Sequence, residues 1–123
     1  MLAAQSIGYS TGPSGVALVK LFERWGIAAD VQRRTVQAPP GVPVGTLVAR
    51  GEVALGFQQL SELLNVDGID IAGPLPEAIQ VNTVFSAGLC VASTQPELAR
   101  SLMSFLAAPE TNPTKQRHGM QPV

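Results

Sequence analysis

Three hydroxyls and two glycines stand within the six residues Ser10-Thr11-Gly12-Pro13-Ser14-Gly15. The hydroxyls can donate hydrogen bonds to an anion, and Gly12 and Gly15 let a ligand approach the backbone. The segment lies where a strand is expected to end and a helix to begin. Unbonded N–H groups and the positive end of the helix dipole then face the ligand, an environment suited to a carboxylate or oxyanion. The segment has neither the lysine of a phosphate loop nor the glycine spacing of a dinucleotide site. Its competing reading is a plain capped turn. A second pair of donors, Gln58 and Gln59, follows Gly56-Phe57 at another strand-to-helix junction. Two amides there can hydrogen-bond a polar ligand without adding charge, although solvated loop glutamines would look the same. A third segment, Thr83-Val84-Phe85-Ser86-Ala87-Gly88, offers small residues that can floor a pocket or permit close packing of a crossing strand.

Catalytic and metal-binding constellations are thin. His118 is the single histidine, lies beside Gly119 near the C-terminus, and reads as solvated. No nucleophile-elbow motif accompanies it. Cys90, the single cysteine, excludes an internal disulfide and a multi-cysteine metal site. Placed among Leu89, Val91 and Ala92, it reads as a buried structural thiol. Glu62, Asp67 and Asp70 are not spaced as a metal loop. No metal, no cofactor and no catalytic residue is therefore expected, and a binder is preferred to an enzyme.

The elements that must position these groups belong to a chain of 123 residues, enough for one compact unit. A chain of this size buries roughly two-thirds of its unfolded surface and needs no disulfide staples. Charged residues make up 14%, against a usual share of about 25%. With 46% hydrophobic residues this excludes disorder. The 12 glycines and 10 prolines imply short elements and many tight turns. A net charge of −1 gives no field to recruit nucleic acid or an anionic membrane. The adjacent pair Arg33-Arg34 has no aromatic neighbours for base stacking. The uncharged stretch 78–96 carries Gln80, Asn82, Ser86, Thr94 and Gln95, too polar to span a membrane. The start, Met1-Leu2-Ala3-Ala4-Gln5, lacks the basic region and long apolar core of a signal peptide.

Residues 6–10 read as a strand, followed by a helix over 14–25 with Leu18, Leu21 or Phe22, and Trp25 on one face. Thr11 or Ser10 is the expected N-cap, Pro13 suits the first turn, and Gly26 is the expected stop. Residues 30–38 read as a strand, and 39–43, with three prolines, as a loop. A short helix over 44–50, ended by Gly51, precedes a strand over 52–57 and a short helix over 58–64. A strand over 69–72 ends at Gly73-Pro74-Leu75-Pro76, and 80–93 reads as a long extended segment. An amphipathic helix over 97–107 and a final helix within 110–118 close the chain. Such alternation predicts an α/β layer with a mostly parallel sheet flanked by helices.

In order and spacing these segments resemble the C-terminal half of a bacterial periplasmic substrate-binding protein of the molybdate-binding-protein-like (type 2) group. The residues that carry the resemblance are 6–15, 47–58, Gly73-Pro74-Leu75-Pro76, Val84-Phe85-Ser86-Ala87-Gly88, 105–110 and Gly119-Met120. Proteins of this group hold an oxyanion in a cleft between two α/β lobes and hand it to an ABC transporter permease. The resemblance implies that the 123 residues are a single incomplete unit. Residues 1–84 would be the second lobe, and 85–123 the return crossing strand with helices that pack on a first lobe upstream. It implies a periplasmic location, although the chain shows no signal peptide. Ligand contacts would fall around Thr11, Ser14 and Gly15, at Gln58 and Gln59, and at Phe85 and Ser86. Molybdate binders place a tyrosine hydroxyl near position 85, where Phe85 has no donor, and an apolar residue near Gln58. Both departures suit a differently shaped anion such as a carboxylic acid. Two alternatives stand beside a solute-binding lobe for a small anion: a remnant that forms a homodimer through its exposed apolar face, and an isomerase of small di- or tricarboxylic acids on the same fold.

Overall fold

The structure is a computed structural model that describes residues 3–122. Residues 1, 2 and 123 lie outside the described residues, and with them the first two positions of the segment read for a leader. The chain divides into two compact units, Met1–Thr83 and Val84–Val123.

The first unit contains β1 (Ile7–Tyr9), α1 (Pro13–Arg24), α2 (Ala28–Gln32), β2 (Thr35–Gln37), α3 (Val44–Ala49), β3 (Leu55–Phe57) and α4 (Leu60–Leu63). A single 3-10 turn follows at Glu77–Ile79. The three strands form a sheet in the order β2-β1-β3, with both pairings parallel. This is the expected α/β layer, with helices on both faces of the sheet.

Alternation along β1 determines which helix covers which face. Ile7, fully buried, joins Leu18 and Phe22 of α1 and Val31 of α2, with Tyr9 and Phe57 packed at the margin. The intervening Gly8 points the other way and is the register partner of Gly56. A Cβ on Gly8 would stand 2.9 Å from Val53 and 3.0 Å from Val44, and one on Gly56 2.7 Å from Val48. The paired glycines thus let α3 lie directly on the sheet backbone. Its Val44 and Leu47 form a second core with Ala38 and Val53.

Two helix ends follow the glycine signals. Gly26, at φ 67°, donates to the Glu23 carbonyl, while Ile27 donates to that of Phe22. Gly51, at φ 71°, repeats this pattern with Val48, and Glu52 with Leu47. Each glycine takes the left-handed conformation, and the two bonds satisfy carbonyls that the last turn leaves open.

Several expectations are corrected. The N-cap of α1 is Gly12 and not Thr11 or Ser10, because the Ser10 hydroxyl bonds that of Ser14 instead. Residues 30–38 are not one strand: α2 occupies the first part, since Ile27 and Val31, four apart, both turn toward the α1 core. The strand β2 begins only at Thr35. Residues 69–72 and 80–93 form no strand. Neither segment has a neighbouring ladder among the described residues, and an extended chain without one has no bonds to complete.

The second unit holds α5 (Pro96–Ala107), a 3-10 turn at Pro109–Thr111 and α6 (Asn112–Arg117). None of its described residues is buried. Leu98, Leu102 and Phe105 form an apolar face on α5, each more than half exposed. Cys90 is exposed, not buried as its neighbours implied, because Val91 beside it is itself fully exposed. His118 caps the end of α6 and is exposed.

Candidate functional site

The three parallel strands all end on the same edge of the sheet, and a depression of about 440 Å³ opens there. Ligands of open α/β sheets bind beyond the carboxyl ends of strands, where connections diverge to opposite faces. Here the chain leaves β1 for α1 on one face and leaves β2 for α3 on the other.

The turn after β1 contributes residues 10–14. Its shape depends on Gly15, where a Cβ would lie 1.8 Å from the Ser10 carbonyl oxygen. Only glycine lets the first turn of α1 settle this closely on the end of β1. That approach brings the Ser10 and Ser14 hydroxyls to 2.9 Å. Gly15 and Val16 both donate to the Gly12 carbonyl, and no side-chain bond caps the helix start among the described residues.

The connection after β2 contributes Pro39, Gly41, Val42 and Pro43. It turns at Pro40-Gly41, where Gly41 takes φ 79° and the Val42 N–H donates to the Pro39 carbonyl, before Pro43 leads into α3. The junction after β3 contributes Gln58, Gln59 and Glu62. The Gln58 side-chain oxygen accepts the backbone N–H of Val44 at 2.6 Å, so it serves the first turn of α3 from across the depression. Its amide nitrogen donates to the Glu62 carboxylate. A backbone N–H can only donate and a carboxylate only accept, so the amide has one orientation.

Of the residues expected to contact ligand, Thr11, Ser14, Gln58 and Gln59 line this one depression. Gly15 lies behind the turn and borders a smaller depression of about 290 Å³, with Tyr9, Val19 and the oppositely charged Lys20 and Glu23. Phe85 and Ser86 belong to the second unit, where Phe85 is 68% exposed. Two contributors escaped sequence reasoning. The loop after β2 carries only a proline cluster as its local signal, and its place at the site depends on β2 pairing beside β1. Glu62 stands in the first turn of α4, from which it reaches back to Gln58 just before the helix.

Among the described residues no lysine, arginine or histidine lines the depression, and Glu62 is the one charged residue there. Among the described residues no group of His, Cys, Asp and Glu is placed to hold a metal ion. No helix there is long and apolar enough to cross a membrane.

Comparison with known proteins gives two findings. Residues 4–121 match the family described as bacterial extracellular solute-binding protein. The chain is also 42% identical over 121 residues to a Pseudomonas sp. protein named aconitate isomerase. That alignment covers 98% of this chain and 46% of the relative, so the chain spans about half the relative's length. No solved structure matches the chain. The family match extends over nearly every described residue, and the chain belongs to the bacterial extracellular solute-binding proteins.

Proposed function

We propose that this chain is the ligand-holding lobe of a solute-binding protein for a small organic acid. The observation that carries the reading is the convergence of uncharged donors at the strand ends. The Ser10, Thr11 and Ser14 hydroxyls, the uncapped start of α1 and the Gln58 amide gather there in a chain of a solute-binding family. The acid's charge is met by dipoles and hydrogen bonds, since no cationic side chain among the described residues lines the depression. The family points to a periplasmic or extracellular location. In this reading residues 1–84 are the second lobe, and 85–123 return toward a first lobe. The unpartnered Leu98, Leu102 and Phe105 face of α5 suits such packing. An ABC transporter permease is the expected recipient of the ligand.

Thermal melts of the chain with malate, citrate, aconitate, sulfate and molybdate test the reading. An organic acid at a hundred times its Kd is expected to stabilise by about 2.7 kcal/mol. Melts unmoved by every acid contradict it.

One observation favours a second reading, an isomerase of small tricarboxylic acids: the 42% identity to a protein named for that activity on aconitate. The residue such chemistry needs beyond a binder's is a base, and Glu62 supplies a carboxylate in the depression. A double-bond shift removes a proton from one carbon and returns one to another. Aconitate incubated with the chain in deuterated water would then gain deuterium on carbon. A pure binder leaves its C–H bonds unlabelled.

A further inference from the structure

Among the described residues, the one charged side chain in the proposed anion site carries the wrong sign for an anion. Glu62 lines the depression beside Gln58, and its carboxylate can only accept hydrogen bonds. A ligand carboxylate or oxyanion also only accepts. Set against Glu62 it meets a like charge with no proton to share, and one group is left unpaired.

The Gln58 amide is the key to what fits. Its oxygen is committed to the Val44 N–H and one of its N–H bonds to Glu62, which leaves its second N–H for a ligand. The pair therefore presents one donor, from Gln58, next to one acceptor, from Glu62. The complement of that arrangement is an acceptor adjacent to a donor. An acid with a hydroxyl on the carbon next to its carboxylate has both.

We propose that Glu62 is a specificity-determining residue that selects 2-hydroxy acids over acids without the hydroxyl. The inference rests on the organic-acid reading of the site. The ligand carboxylate accepts from Gln58 and from the α1 turn, while its hydroxyl donates to Glu62. Glu62 is exposed, so the preference is moderate, on the order of tenfold.

Malate and succinate share one four-carbon skeleton and differ by that hydroxyl, which makes them the probes. Titration calorimetry of the chain is expected to show malate binding about tenfold tighter than succinate. Glu62→Gln can donate as well as accept, so the ratio should fall to about one, chiefly because succinate tightens. Glu62→Ala, which removes the repelling charge without adding a donor, should also lose the preference. Equal affinities in the wild type overturn the inference, as does an undiminished malate preference in either variant. Either result leaves the organic-acid reading intact. Absence of binding to both acids in the wild type and both variants overturns that reading, and the inference with it.

Discussion

Replacing Gly15 by alanine is expected to cost at least about 3 kcal/mol of stability, lowering the melting temperature by roughly 10 °C. The new Cβ would stand 1.8 Å from the Ser10 carbonyl oxygen and 2.8 Å from its carbon. Overpacking against movable side chains typically costs about 1–3 kcal/mol. Here the obstacle is backbone at the end of the central strand, so α1 must move away or β1 must bend. Either response separates the Ser10 and Ser14 hydroxyls and opens the anion turn. Gly12→Ala is the control: its Cβ would meet nothing nearer than 3.6 Å, and its φ of −77° suits any residue. Circular-dichroism melts should therefore show a large loss for Gly15→Ala and a small one for Gly12→Ala. Equal small losses would contradict the close seating of α1 on β1.

Gln58→Leu is expected to have the second-largest effect, on stability and binding together. Leucine cannot accept the Val44 N–H, and leaving that donor unpaired costs about 1–3 kcal/mol. It also removes the donor that faces the ligand, so acid affinity should fall at least about tenfold. Gln58→Glu separates the two roles. Its carboxylate can still accept from Val44, but it loses the bond donated to Glu62 and sets two exposed carboxylates side by side, which costs about 1 kcal/mol. It has no donor, however, and adds negative charge to the site. Denaturant unfolding should place Gln58→Glu between the wild type and Gln58→Leu, while calorimetry should find it as defective as Gln58→Leu. Full binding by Gln58→Glu would remove Gln58 from the site.

What was legible in the sequence follows from which interactions are local. The helical spacing of Leu18, Leu21 and Phe22 and the stops at Gly26 and Gly51 depend on a few neighbouring residues, and α1 and α3 appear as expected. Trp25 is the exception: it falls at the C-cap of α1 and is 43% exposed instead of on the buried face. Whether residues 69–72 or 80–93 become strands depends on a distant partner, and apolar runs do not encode one. The α2 turn was hidden because the Ile27 and Val31 pair is too short to set a period. The chemistry of the site was legible at Ser14 and Gln58, since a strand-to-helix junction is a local signal. The contribution of residues 39–43 was not, because it depends on β2 lying beside β1, which is a property of the sheet order. Glu62 fits no metal spacing, and its contact with Gln58 depends on how the chain turns from β3 into α4.

The central claim is that a small organic acid binds at the strand ends of the first unit. Amide chemical shifts of the isotopically labelled chain, followed by NMR during a malate titration, test it most directly. The account predicts saturable shifts concentrated at Thr11, Gly12, Ser14 and Gly15 and at Val44, Gln58 and Gln59, including the Gln58 side-chain amide. Amides around Val19, Lys20 and Glu23, at the smaller depression, should stay still. Shifts that never saturate, or that centre on Lys20 while Ser14 and Gln58 remain unmoved, would contradict the account.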